Sequence, residues 1–201
     1  MPKKSRKLSP IADFLFEVGI LAQTPRSGFH FLGSGRQSVA EHIHRVVYAG
    51  YVLAMIEKNV DVSKVMKMCL FHDLAESRTS DLNYVHQKYN QANEMQALRD
   101  MAATVEFGPD IVKTVAEYEQ RQTKEAKVAK DADQIEWILS LKEQVDTGNS
   151  RAESWMHIAA KRLKTKAAKG VAREIMKTNS DRWWFGDGKD EWWVSRKRKT
   201  K

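Results

Sequence analysis

Cys69 is the only cysteine in this chain of 201 residues. No intrachain disulfide can form, and a structural zinc site built on thiolates is excluded. The apolar neighbours of Cys69 mark it as a core residue rather than a nucleophile. A reducing, cytoplasmic setting is expected. No apolar run is long enough to cross a membrane. The stretch from Ile11 to Ala22 is interrupted by Asp13 and Glu17 and makes a poor signal peptide. Alternating apolar and polar runs of any length are missing, and so are internal repeats. These absences leave an all-α fold, a compact helical bundle rather than a repeat array.

Charge is unevenly placed. The formal net charge is +8, but Lys3, Lys4, Arg6 and Lys7 stand at one end and Arg196, Lys197, Arg198, Lys199 and Lys201 at the other. Removing those nine charges leaves the body at −1. Basic ends of this kind read as solvated tails; nucleic-acid binding through them is not the favoured reading. The organisation expected is a basic tail over residues 1–8, a helical domain over 9–178, and a basic, tryptophan-rich extension over 179–201.

Within the domain the punctuation is helical. Ser9-Pro10 reads as a cap followed by proline in the first turn. Residues 26–37 contain Gly28, Gly33 and Gly35 and read as a loop. Ser38-Val39-Ala40-Glu41 is a capping box, opening a helix that should end near Asn59. Asp61 or Ser63 caps the next, whose apolar side leads into His72-Asp73. Residues 77–89 read as a less regular connection. Helices are expected over about 91–107, from Gly108-Pro109 to about Gln120, and from Thr123 to about Asp146. One or two more follow from Ala152 to Met176, with Gly170 between them. Four of the six tryptophans, Trp183, Trp184, Trp192 and Trp193, fall in the tail. Their rings are expected to pack on the domain or across a dimer interface; a lid or a base-stacking platform is the alternative.

The chemistry centres on Leu70-Phe71-His72-Asp73-Leu74-Ala75-Glu76. Buried carboxylates need a partner or a metal, and adjacent His and Asp can converge on one ion if other segments supply more ligands. On a continuing helix Glu76 would share their face. His42 and His44 are two apart on their helix, so at most one can join. Asp131 and Asp133 are rival carboxylates, and helical periodicity does not choose between them. Two imidazoles and two carboxylates suit Mn²⁺, Co²⁺, Fe²⁺ or Ni²⁺ and can hold Zn²⁺ or Mg²⁺. Arg45 reads as a salt-bridge partner that positions the ligand helix.

His42 in Ser38-Val39-Ala40-Glu41-His42, then His72-Asp73-x-x-Glu76 with Asp81, then Lys130-x-x-Asp133-x-x-Glu136, resemble the HD-domain metal-dependent phosphohydrolases. The small single-domain branch that includes the bacterial 5′-deoxynucleotidases is the nearest likeness. That branch has Pro-Arg-Thr-Gly-Trp before the first histidine, where this chain has Pro25-Arg26-Ser27-Gly28-Phe29. The likeness spans about Ile11 to Asp146.

What the resemblance implies is specific. His42, His72, Asp73 and Asp133 match the metal ligands. Glu76 matches the residue that handles the attacking water, and Arg26 a phosphate-contacting arginine. Asp81 matches the aspartate that discriminates against a 2′-hydroxyl. The aromatic that directly follows the arginine in the bacterial enzymes is replaced by Ser27-Gly28-Phe29, and the segment to His42 is one residue longer. The implied activity is phosphomonoester hydrolysis of a (deoxy)nucleoside 5′-monophosphate by a divalent-metal enzyme acting as a homodimer. Phosphodiester or alarmone hydrolysis, or a non-catalytic nucleotide- or RNA-binding module, are the alternatives.

Overall fold

The computed structural model describes residues 8–186, 188 and 192–196. Most of the two basic tails, Lys3 to Lys7 and Lys197 to Lys201, lies outside the described residues. The chain is helical, and among the described residues the only strand-like pairing is an isolated bridge between Pro25 and Ser38. The order is α1 (Ser9–Gly19), continued by a 3-10 turn, then α2 (Phe29–Leu32), α3 (Val39–Ile56), α4 (Val62–Phe71), α5 (Glu76–Thr79), α6 (Tyr84–Tyr89) and α7 (Glu94–Ala102). There follow α8 (Gly108–Gln120), α9 (Lys124–Asp146), α10 (Ser150–Arg162), α11 (Lys166–Lys177), α12 (Arg182–Phe185) and α13 (Trp192–Ser195).

Helix α9 is the axis of the bundle, packed by α3, α4, α8, α10 and α11. It buries Ala126, Val128, Ala129, Ala132, Ile135, Ile138 and Leu141. Those residues fall all round the helix, as they must in a helix enclosed by neighbours. The same helix buries Asp131, Asp133, Glu136, Ser140 and Lys142. Polar groups in a core cost several kcal/mol unless partnered, so each of them requires an explanation.

Helix α3 lies between two apolar clusters. Val46, Leu53 and Ala54 belong to the α9 side, and Val39 and Ile43 to a second cluster with Phe14, Leu98, Met101 and Ile111. The capping box forms as expected, with Glu41 N–H donating to Ser38 Oγ and Ser38 N–H to the Glu41 carboxylate. Gly50 lets α3 and α4 approach closely: a Cβ there would stand 2.5 Å from Cys69 Sγ. A larger residue there would force Cys69 or the helices themselves to shift. Asp61 caps α4 and Thr123 caps α9.

Several boundaries differ from expectation. Ser9 lies inside α1 and makes no cap bond; Leu8 is the flanking residue, and Pro10 serves the first turn. The 26–37 loop contains α2, which stops at Gly33 in the left-handed region (φ 80°). The 77–89 connection contains α5 and α6, and the helix expected over 91–107 is only Glu94–Ala102. Gly170 sits within α11. The break falls instead at Leu163–Thr165, where Asp131 takes the N–H groups of Lys164 and Thr165 and Thr165 caps α11. The tail aromatics pack chiefly on one another: Trp193 meets Trp184, Phe185 and Trp192 at ring distances of 5.1–5.5 Å. Trp183 remains 86% exposed. No helix among the described residues is long and apolar enough to cross a membrane.

Candidate metal centre

Three helices deliver the site. His42 sits in the first turns of α3, its position set by the capping box one turn earlier. α4 ends at Phe71, and His72 is its closing residue, its N–H still donating to the Met68 carbonyl. The helix does not continue to Glu76. A turn carries the chain over residues 72–75, and Glu76 starts α5 with its N–H on the Asp73 carbonyl at 3.0 Å. That turn, rather than a shared helix face, puts Glu76 beside Asp73. Asp133 comes from the middle of α9.

His42, His72 and Asp133 each bring one ligand atom within 4.8 Å of the others, and all three are buried. His42 Nε2 lies 3.3 Å from Asp133 Oδ1 and 3.5 Å from Asp73 Oδ2. His72 Nε2 lies 3.2 Å from the same Asp73 oxygen. Both Nε2 atoms are buried and make no hydrogen bond. Two orphaned imidazole nitrogens facing two carboxylates are a donor set that a divalent cation satisfies and an apolar core does not. The residues fit the group that the sequence pattern implies.

The two aspartates of α9 meet different partners. Asp131 is 1% exposed and its carboxylate accepts from the backbone of Lys164 and Thr165. It is committed to the α10–α11 junction. Asp133 faces His42 and is also paired with Lys130 at 2.8 Å, while the Tyr118 hydroxyl reaches it at 3.4 Å. Lys130 enters the sequence reading only within the Lys130-x-x-Asp133-x-x-Glu136 pattern, without a role of its own, and Tyr118 does not enter it. The Lys130-x-x-Asp133 spacing, one helical turn, is the signal that could have found the first; nothing local marks Tyr118.

The carboxyls around the site are pushed in opposite directions. Burial raises Asp73, but His72, His42 and the Arg26 guanidinium outweigh it and hold the group well below the usual carboxylate range. Burial likewise opposes Asp133, and Lys130 and His42 pull it lower still. Glu76 goes the other way: burial, then the negative charges of Asp73 and Asp81, push it up to about 10. One of its oxygens, Oε2, is buried without a partner. Opposite shifts on neighbouring carboxyls separate fixed-charge ligands from a group able to exchange a proton.

Arg26 stands at the rim with Nη1 3.4 Å from Asp73 and 3.6 Å from Asp81. Its segment is tied to the start of α3 by Arg26 N–H to the Gln37 carbonyl and Val39 N–H to the Thr24 carbonyl. Asp81 accepts the Ser27 N–H at 2.9 Å, which pins it beside Arg26. Arg45 pairs with Glu136 and Glu143, the role expected of it. His44 is exposed, and Glu117 pairs with Lys64. A groove of about 930 Å³ between the end of α3, α9, α11 and Trp183 contains none of the candidate ligands.

An HD domain profile matches residues 18–176. The chain belongs to the HD-domain family. Among relatives, the 5′-deoxynucleotidase HDDC2 of Bos taurus is 27% identical over 147 residues, which is 69% of this chain and 70% of the relative. A conserved hypothetical protein of Pyrococcus furiosus has a similar structure, with a TM-score of 0.74 and 28% identity. The match covers 83% of this chain and 99% of that one. A "predicted metal-dependent phosphohydrolase" of Magnetospirillum magnetotacticum has the same fold at 20% identity, with a TM-score of 0.69, over 88% of this chain and 94% of its own. The all-α HD-domain bundle expected from the motif set is thereby borne out.

Proposed function

We propose that this HD-domain protein is a metal-dependent phosphohydrolase that removes the 5′-phosphate of a deoxynucleoside monophosphate. The observation that carries this reading is the pair of buried, unpartnered Nε2 atoms of His42 and His72 facing Asp73 and Asp133, with Arg26 and a proton-holding Glu76 alongside. The names of the HDDC2 relatives supply the substrate class.

His42, His72, Asp73 and Asp133 would hold the ion. A divalent cation in such a site polarises a phosphoryl oxygen and lowers the pKa of a bound water, to about 7 in the best cases. Arg26 binds the phosphate; its planar fork matches two phosphate oxygens, which a lysine could not do. Glu76 orients the attacking water and accepts its proton. A cation held by Asp73 would favour the ionised Glu76 carboxylate that this task needs. Asp81, held by the Ser27 N–H, would contact the sugar and discriminate against a 2′-hydroxyl, the role that its place in the motif implies. Mn²⁺ or Co²⁺ suits the two-imidazole, two-carboxylate set.

Metal-stripped protein reloaded with Mn²⁺, Co²⁺ or Mg²⁺ should release phosphate from deoxynucleoside monophosphates faster than from their ribo counterparts. Silence with every metal across both panels would sink the reading. We propose also that the chain pairs as a homodimer through the outer face of α3. Support comes from Tyr48, Tyr51, Val52 and Met55, which stand exposed at helical spacing with no charged residue among them. Sedimentation equilibrium should return about twice 23.1 kDa; a monomer at every concentration would remove the proposal.

A further inference from the structure

We propose that Glu136 is a positioning residue for the candidate metal centre: it holds the His42 ring with its proton on Nδ1, so that Nε2 faces Asp73 and Asp133. The proposal rests on the reading of this site as a metal site. Nothing in the motif resemblance gave Glu136 a role of its own.

Glu136 is fully buried, one turn beyond Asp133 on the core helix α9. Its Oε2 lies 2.6 Å from His42 Nδ1. Its Oε1 accepts from Gln37 Nε2 at 2.7 Å, from Arg45 Nη2 at 2.8 Å and Nε at 3.0 Å, and from Ser140 Oγ at 3.0 Å. Both oxygens are therefore committed, and Glu136 is free neither to bind an ion nor to act as a base. Arg45 balances its charge, so the carboxylate is not an unpaired buried anion.

The tautomer follows from chemistry. An ionised carboxylate only accepts hydrogen bonds, so His42 Nδ1 is the donor, and in the neutral ring the remaining lone pair is on Nε2. That atom is the one with no hydrogen bond, facing Asp133 and Asp73. His72 is oriented differently: its Nδ1 donates to the Cys69 backbone carbonyl at 2.9 Å. The two imidazoles are therefore inequivalent. One is backed by a neutral carbonyl that mutation cannot remove, the other by a charged side chain that raises ligand basicity.

The test is Mn²⁺ binding, by calorimetry, to the full chain, to Glu136→Gln and to Glu143→Gln. The last disturbs the outer Arg45 pair without touching His42. Glu136→Gln should weaken Mn²⁺ binding about 10–100-fold, while Glu143→Gln stays within about threefold. A folded Glu136→Gln protein that binds Mn²⁺ as tightly as the unaltered chain overturns the proposal. So does an equal loss in Glu143→Gln, which would assign the effect to general loosening of the ion-pair network. Should Glu136→Gln not fold, the unaltered protein still decides. With Zn²⁺ bound, imidazole ¹⁵N spectra should show His42 protonated at Nδ1 and coordinated through Nε2; coordination through Nδ1 refutes the assignment. An unaltered chain that takes up neither Mn²⁺ nor Zn²⁺ fails the metal reading itself, and this inference with it.

Discussion

Asp73→Asn and Asp133→Asn should each abolish tight Mn²⁺ binding and lower kcat/KM at least about 10³-fold, whereas Asp131→Asn should leave both within a few-fold. The three substitutions are equally conservative in volume and remove one carboxylate each. They differ only in what the carboxylate faces. Asp73 and Asp133 face the two orphaned histidine nitrogens, and losing one removes a charged ligand from a site with only two. A Lewis acid on a phosphoryl oxygen is worth several kcal/mol, and about 4 kcal/mol corresponds to 10³ in rate. Asp131 instead accepts three short contacts from the backbone of Lys164 and Thr165. Asp131→Asn therefore appears as lost stability, about 1–2 kcal/mol for weakened charge-assisted bonds, measurable by urea titration. Metal content and phosphate release assayed side by side decide the matter. An Asp131→Asn protein that loses metal, or an Asp133→Asn protein that keeps it, would reverse the assignment within α9.

The contrast between those two aspartates shows what a sequence can and cannot reveal. Local chemistry was legible: Ser38 to Glu41 read as a capping box and formed one, and Asp61, one of the two residues offered as the next cap, takes that place. Each of those signals involves groups a few residues apart. The misplacements arise where a distant group decides. Gly170 offered a local reason for a break, but the break lies at Leu163–Thr165 because Asp131, more than thirty residues earlier, satisfies those N–H groups. The continuing helix imagined through Glu76 gives way to a turn over residues 72–75. The pattern His42, His72-Asp73 and Asp133 was visible as a motif. Its support was legible only in part: Lys130 lies one turn from Asp133 on the same helix, but Tyr118 reaches Asp133 from α8 and the partners of Arg45 lie on α9, at separations that periodicity does not report. The close passage of α3 and α4 at Gly50 and Cys69 likewise reads as two unrelated small residues until the helices are packed.

Glu76→Gln should keep Mn²⁺ and lose turnover, and it should also make the metal-free protein more stable. The first part follows from position. The two Nε2 atoms face carboxylate oxygens of Asp73 and Asp133, not of Glu76, so Mn²⁺ affinity should stay within a few-fold. Removing a general base typically costs about 10²–10⁴-fold in kcat. The second part follows from linkage. Burial and the charges of Asp73 and Asp81 raise the Glu76 pKa from 4.5 to about 10. The folded state therefore binds a proton that the unfolded state releases above pH 4.5. Stability from this group is fully present below that value and is lost as pH rises toward 10. At pH 7 the loss amounts to roughly 3 kcal/mol at most, from about 1.4 kcal/mol per pH unit. Glutamine carries no such proton, so the metal-free variant should melt several degrees higher at pH 8, with a flatter dependence of Tm on pH. Bound Mn²⁺ should shrink the slope in the unaltered protein, since a cation beside Asp73 favours the ionised carboxylate. A Glu76→Gln protein with kcat within about fivefold of the parent would deny Glu76 its role. An unchanged pH slope would show that another group carries the raised pKa. Together the two readouts separate a catalytic carboxyl, kept at a cost in stability, from one that merely lines the cleft.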